Sequence, residues 1–536
     1  MAEPPTNSVA AGGHFVPADK RLPPEWLAGL YERGASRVYR GAELNVIGMP
    51  VGGIAAGQLY LCGDGTLGCW KLFNQQYFSG YGADCYRPRM PDRPIAQGFA
   101  VLVKEGDELV ARTLDRHGMP ETEFIGEYPI GRVRYRDESL PVSVELEAFS
   151  PFIPLCARDS ALPATVLEYT VRNEADRPLA VALLGWLENP VCFHSIREHG
   201  LLVQHRSRLV ADRGRSLLIH TAEPPAGDES SPRPDIVLAD FEGESYGDWT
   251  VEGEAFGQRP ARGTLPEQSP VSGFEGQGLV NTFLGGDDPH GRLLSPPFTI
   301  NRKYMCLLIG GGQDPQGLCV NLLIDGQIVR TATGENRERL TWRTWDVRDL
   351  GKSAQLEIVD RRSGPWGHIN VDQILLSDHQ RIRLGGRLEN LEDFGSVALA
   401  LAEKAAAPEA VQGWLAQLGP DWPLVCATKL LVAPPARAQP SMATPLVELA
   451  PGQRRSFTFV LAWYFPNRAE GNMYANWFRN AGEAAHYVLD NYDRLAGHTR
   501  LWHDTYYDST LPHWLLDRLH STVCNLATGC LLYTSP

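Results

Sequence analysis

The stretch "WHDTYYDST" sets His503 beside Asp504, with Asp508 close behind. An imidazole next to carboxylates is the pairing that general acid–base chemistry uses. The same residues equally suit the last turn of one helix and the cap of the next. "CFHSIREHG" groups Cys192, His194 and His199, all zinc-ligating types, but no second ligand pair stands at a metal-like spacing, so the stretch reads as a loop with incidental polar groups. The Gly-rich "GMPVGGIAAGQLYLCGDG" lacks the lysine and the spacing of a phosphate cradle and predicts a tightly packed strand turn. No metal and no cofactor follows from these residues.

Aromatic residues point to a different chemistry. "CWKLFNQQYFSGYGADCYRPRMP" crowds Trp70, Phe73, Asn74, Gln75, Tyr77, Phe78, Tyr81 and Tyr86 into one Gly-punctuated stretch. So many rings on a lone β-domain would be a liability in water, which makes Trp70, Asn74, Gln75 and Tyr77 candidates for a domain interface or for sugar contact. The plainer reading puts the rings in a core. Trp249, Trp342 and Trp366 stand in a separate block and are candidates for stacking on a glycan, because an indole face matches the apolar face of a sugar. Their alternative is also core packing. Asp240, Glu242 and Asp372 have the oxygen chemistry that Ca²⁺ prefers, but acidic residues at adjacent strand ends are common without metal.

The elements that must position these residues are mostly strands. The 536 residues hold 53 Gly and 40 Pro, a turn-rich count that favours many short strands over a helical bundle. After a Pro-rich leader and the short helical "PEWLAGLYERG", which together fill residues 1–37, apolar and polar residues alternate as in "VSVELEAFSPF". "AEPPAGDESSPRP" is a linker, and the block it introduces, residues 235–380, carries its own strands and an Asp325-Gly326 hairpin turn. The earlier strand style then resumes over 381–470, so the simplest organisation is a smaller sandwich inserted into a larger one. From Tyr474 the period becomes helical, predicting one long helix. A last helix begins near Pro512, with Leu515, Leu516, Leu519, Val523 and Leu526 on one face and nothing after it to bury them.

Charge and composition exclude several classes. A net charge of −14 without any basic run argues against nucleic acid and anionic membranes as partners. The ten cysteines are scattered, with no C-x-x-C pair, and read as free thiols. No signal peptide is visible and "LAVALLGWL", the longest apolar run, is too short to span a bilayer, so a soluble, cytoplasmic protein is expected.

Three segments carry a resemblance. "AELNVIGMPVGGIAAGQLYLCGDGTLGCWKLFNQ", "AFSPFIPLCARDSALPATVLEYTVRN" and the pair "LAWYFPN" with "WHDTYYDSTLPHWLLDRLHSTVCNLAT" resemble the N-terminal domain of glycoside hydrolase family 116 and its junction with the catalytic domain. That family includes the bile-acid β-glucosidase, or non-lysosomal glucosylceramidase, and microbial β-glucosidases and β-xylosidases. The likeness covers residues 38–234 and 381–530, and the inserted block resembles the jelly-roll modules of other hydrolases. What the resemblance implies is a large antiparallel β-sandwich, interrupted by a smaller jelly roll and followed by a linker helix and an (α/α)6 toroid, of which residues 471–536 would supply only the start. It further implies a retaining mechanism with two carboxylates about 5 Å apart, both lying in the toroid. No residue here matches either, so no catalytic residue is assigned and "LLYTSP" reads as the end of a truncated fragment. The expected function is the non-catalytic front of a β-glucosidase or glucosylceramidase whose partner is a carbohydrate or glycolipid. The alternative is a complete carbohydrate-binding or scaffolding protein.

Overall fold

The computed structural model describes residues 22–74, 93–199, 201, 203–224, 233–350, 353–381, 388–418, 440–468 and 471–527, without the side chains of 198, 199 and 525. Alternation builds its strands. In Val142–Phe149 the side chains of Val142, Val144, Leu146 and Ala148 are buried, while Ser143, Glu145 and Glu147 turn outward. This strand lies in a nine-stranded antiparallel sheet ordered Tyr39–Arg40, Glu121–Glu127, Ile130–Arg136, Val142–Phe149, Ala164–Asn173, Arg454–Tyr464, Ser396–Leu401, Arg215–Glu223, Gln204–Asp212. Arg215–Glu223 and Ser396–Leu401 pair side by side although the whole inserted block runs between them.

A second antiparallel sheet of five strands includes Gln97–Glu105, Glu108–Thr113 and Leu179–Leu187. The two sheets share one core, to which Phe99, Val101 and Leu183 contribute from one side and Leu146, Tyr169, Phe459 and Trp463 from the other. Leu179–Leu187 is apolar throughout because both its faces are covered. Val181 and Leu183 enter the shared core, and Ala182 and Leu184 lie against Val411, Trp414 and Leu415 of a helix.

Among the described residues the α-helices are α1 (Pro24–Gly29), α2 (Ala157–Ser160), α3 (Phe193–His199), α4 (Pro408–Leu418), α5 (Ala481–Asp490), α6 (Tyr492–Tyr507) and α7 (His513–His520). Small residues let α5 approach the nine-stranded sheet, where Ala481, Ala484, Ala485 and Val488 meet Ala398, Ala400, Val460 and Ala462. Asn480 caps α5 by accepting from the Glu483 amide at 3.0 Å. The single long helix expected from Tyr474 is therefore two, interrupted at Asn491, whose side-chain amide bonds the Tyr487 carbonyl at 2.9 Å and competes with helix continuation.

The last helix also differs from expectation. α7 stops at His520 and a 3-10 turn, Ser521–Ala527, follows. Its apolar face is covered in part: Leu516 is buried and Val523 and Cys524 pack against the sandwich core, while Leu519 and Leu526 stay exposed. The Ala55 amide also bonds the Leu526 carbonyl at 2.9 Å, so this segment is stitched to the Gly-rich turn.

The inserted block has two antiparallel sheets of its own. One contains Ile236–Ala239, Ile369–Ser377, Tyr304–Gly311 and Arg337–Asp346; the other contains Thr250–Gly253, Gly291–Leu294, Ser353–Asp360, Leu318–Ile324 and Gln327–Ala332. They enclose a separate core of Met305, Leu307, Val320, Leu356, Ile358 and Val371. Asp325 and Gly326 both take positive φ in the hairpin turn, as the Asp-Gly pair predicts. Among the described residues the cysteines 62, 69, 156, 192, 306, 319 and 524 are free thiols. No helix among them is long and apolar enough to cross a membrane.

Candidate functional site

Trp70 ends up inside. It lies on the strand Leu67–Lys71, is 2% exposed and belongs to the shared sandwich core together with Phe73. Of its two expected roles, surface contact and packing, the indole takes the second, because Leu67–Lys71 is folded back onto the sandwich. Asn74 follows in a left-handed conformation at φ 61°. Its side-chain amide donates to the carbonyls of Phe465 (2.8 Å) and Glu392 (3.1 Å), and its oxygen accepts from Asn472 at 3.0 Å. Asn74 therefore ties the strand end to the segment that leads into α5. Gln75 and Tyr77 lie outside the described residues.

The Gly-rich turn is steric, as its composition predicts. A Cβ on Gly53 would lie 2.3 Å from the Leu162 carbonyl oxygen, and one on Gly65, at φ +83°, would lie 1.6 Å from the Tyr135 hydroxyl. In the "CFHSIREHG" stretch, Asp393 accepts from the Ser195 amide (2.8 Å) and hydroxyl (2.7 Å), which holds the first turn of α3. His194 packs edge-on to Phe73 and Phe193. Among the described residues no group of three or more His, Cys, Asp or Glu is arranged to hold a metal ion.

The histidines of the C-terminal helices form the seam with the sandwich. His503 on α6 places Nε2 3.2 Å from Glu127 Oε2 and Nδ1 2.8 Å from Asp504 Oδ1. Burial pushes the Glu127 carboxyl upward, but hydrogen bonds from His503 and Ser36 and the Arg132 charge outweigh it and hold the group below its ordinary value. His520 on α7 donates from Nδ1 to the Tyr128 carbonyl at 2.7 Å and accepts at Nε2 from the Trp502 indole at 3.0 Å. Both its nitrogens are spent, and burial lowers its pKa, so the neutral ring is the one that fits. Tyr506 stacks on it with centroids 4.2 Å apart. Asp508 only ends α6. The acid–base look of "WHDTYYDST" thus resolves into docking contacts. Their partner Glu127 sits 376 positions away, which no local pattern announces.

The three tryptophans of the inserted block separate. Trp342 is 8% exposed in a small core with Tyr304 and Leu308, and Trp249 packs against the main core of the block beside Phe241. Trp366 is half-buried at the edge of a loop. Of the candidate calcium ligands, Glu242 accepts from the amides of Gln277 (2.7 Å) and Gly278 (2.8 Å), and Asp372 accepts from Glu275 N at 2.8 Å. Burial, with the Glu242 and Glu275 charges adding to it, pushes Asp372 up to about 7.

Residues 48–252 match the family described as "beta-glucosidase 2, glycosyl-hydrolase family 116 N-term". The N-terminal part of this chain thus resembles the N-terminal domain of glycosyl hydrolase family 116. It is 42% identical over 172 residues to ecdE of Aspergillus rugulosus, a protein provisionally named a glycosyl hydrolase, covering 31% of this chain and 24% of that protein. The chain thus spans about a quarter of that relative's length. Among solved structures, the K3 cleaved adhesin domain of Lys-gingipain from Porphyromonas gingivalis aligns with 27% of this chain and 99% of its own at 16% identity and a TM-score of 0.19. The C-terminal extracellular domain of Mycobacterium tuberculosis EmbC aligns with 29% of this chain and 63% of its own at 13% identity and a TM-score of 0.18. Likenesses so slight carry no argument.

The family 116 match contains the Gly-rich turn, Trp70, Asn74, Glu127 and Asp159, among them several residues that contact the C-terminal segment. Asp159 accepts from the Tyr487 hydroxyl of α5 at 2.8 Å, and Glu147 accepts from Arg500 of α6 at 2.7 Å. The match ends at residue 252, a short way into the inserted block, whose first strand is Ile236–Ala239.

Proposed function

We propose that this chain is the non-catalytic N-terminal portion of a retaining β-glycosidase that hydrolyses β-glucosides, of the β-glucosidase or glucosylceramidase kind. The observation that carries the reading is the family 116 match over residues 48–252, which include Glu127, Glu147 and Asp159, the carboxylates that hold His503, Arg500 and Tyr487 of the C-terminal helices. A glycosyl-enzyme mechanism needs a nucleophilic carboxylate and an acid–base carboxyl about 5 Å apart. In this reading both come from an (α/α)6 toroid that follows α7. The sandwich supplies the platform, and Leu501, Trp514 and Leu519, all exposed, are apolar surface for the toroid to cover. The inserted block is a jelly-roll module, the substrate is a carbohydrate or glycolipid, and the setting is cytoplasmic.

A covalent trap tests the division of labour. 2-Deoxy-2-fluoroglucosyl fluoride, from which a retaining carboxylate nucleophile displaces fluoride at C1 to form a glycosyl ester, should leave the mass of the purified chain unchanged, and an aryl β-glucoside should show no saturable turnover. The product of the complete reading frame should gain one glycosyl unit. A stoichiometric adduct on the isolated chain would overturn the non-catalytic reading, and no adduct on the complete product would overturn the retaining one.

A further inference from the structure

The chain enters and leaves the inserted block at one end. Ile236 lies opposite Leu376, and Arg233 is clamped to Asp378 at 2.7 Å. The connections 282–290, 312–317, 333–336 and 361–368 gather at the other end. The register places them there, since Gly311 lies opposite both Ile369 and Arg337, and Asp360 lies opposite both Leu318 and Gly291. These loops are free of the linkage to the larger sandwich.

A polar network lies beneath them. His368, 3% exposed, sets Nδ1 2.6 Å from Asp287 Oδ1 and Nε2 3.2 Å from Glu338 Oε2. The same Glu338 oxygen accepts from Asn370 (2.9 Å) and Gln268 (3.1 Å). Asn370 is fully buried, yet its side-chain oxygen has no hydrogen-bond partner. A core seldom holds so much polarity for packing alone. Burial, with the Asp287 charge adding to it, pushes the neighbouring Asp360 up to about 7.

Over this network stands Trp366, at φ +60°. A bulky side chain in the left-handed region is strained and persists only where its surroundings enforce it. Gly312 makes room for it, because a Cβ there would lie 2.0 Å from the Trp366 carbonyl oxygen, and the Gly312 amide holds the loop by donating to the His368 carbonyl at 2.8 Å. The strain brings the indole flat onto His368, with centroids 5.9 Å apart and planes at 26°, while Phe283 meets the imidazole edge-on at 5.1 Å. Trp366 remains half-buried and Asp287 partly open, so an aromatic platform and a hydrogen-bond acceptor share one rim.

We infer that this loop end is a binding site for a neutral glycan, with Trp366 stacking on the apolar face of a pyranose and Asp287 accepting from its hydroxyls. Charge at the rim is mixed, with Arg362 beside Asp314 at 3.8 Å and Asp287 beside His368, which suits an uncharged ligand better than an ion. The inference does not depend on the glycosidase reading.

The test titrates the full chain with cellotetraose, xylotetraose and mannotetraose, following tryptophan fluorescence and calorimetry. At least one should bind saturably in the wild type. Trp366→Gly removes the ring and relaxes the positive φ, so it should melt no lower than the wild type and bind about tenfold more weakly or not at all. Asp287→Asn should weaken binding, and Trp366→Tyr should restore part of it. Wild-type chain that binds none of the three sugars overturns the inference. So does undiminished binding by Trp366→Gly, or a large loss of stability in that variant, which would make the ring a packing residue.

Discussion

Replacing Trp70 by alanine separates a core tryptophan from an interface one. A buried tryptophan removes about 150–250 Å² from water. At about 25 cal/mol per Å² that area is worth roughly 4–6 kcal/mol. Measured truncations of buried tryptophan to alanine cost about 3–5 kcal/mol, because the site partly collapses. With Trp70 only 2% exposed and enclosed by the shared sandwich core, Trp70→Ala should cost about 4 kcal/mol, a large part of the roughly 5–15 kcal/mol that holds a domain. Urea unfolding of the full chain, followed by far-ultraviolet circular dichroism, reads it as a drop in midpoint at nearly constant slope. Trp26→Ala, at a residue 51% exposed on α1, should stay within about 0.5 kcal/mol of the wild type. A Trp70→Ala midpoint as close to wild type as that of Trp26→Ala would refute the reasoning and return the indole to a partner surface.

Gly65→Ala should lower the melting temperature sharply, since the new methyl meets the Tyr135 hydroxyl at 1.6 Å and the backbone is at φ +83°; Tyr135→Phe should restore only part, as the ring carbon is still 2.7 Å away. Stability should respond to pH with opposite sign in the two sandwiches. His220, fully buried, has its pKa pushed down to about 3 chiefly by burial, so its unfolded form takes up a proton first and the larger sandwich loses stability as pH falls below about 6.5. Asp360 and Asp372 are pushed up to about 7, so the stability they contribute is present below their unfolded value of 3.8 and is lost as pH rises through 7. Amide-exchange protection, corrected for intrinsic rates, should therefore be greater at pH 8 than at pH 5 along Arg215–Glu223, and the reverse along Ile369–Ser377. The same direction in both strands would contradict these assignments.

Patterns that act locally were legible in the residues alone. Alternation in Val142–Phe149, the Asp325-Gly326 turn and the return of strand style after the inserted block each depend on neighbours in sequence, and each is present in the fold. The steric use of glycine in "GMPVGGIAAG" was legible too, because a missing phosphate-binding lysine leaves close packing as the reason for so many glycines. The stop at Asn491 and the end of α7 at His520 were not, since a polar cap competes with helix continuation only when the surrounding fold decides which bonds are available.

The roles of individual side chains belonged to the tertiary structure. Trp70, Trp249, Trp342 and Trp366 are the same residue type in similarly polar surroundings, and only the folding of sheet against sheet buries Trp70 and Trp342, packs half-buried Trp249 against a core and leaves Trp366 at a rim. His503 and Asp504 suggested proton chemistry because they are adjacent in sequence, but the buried partner of His503 is Glu127, delivered by a strand from the far end of the chain. Sequence specifies which groups exist and which local conformations they favour. Burial and long-range partners determine protonation, packing and exposure, and these arise only when distant strands come together.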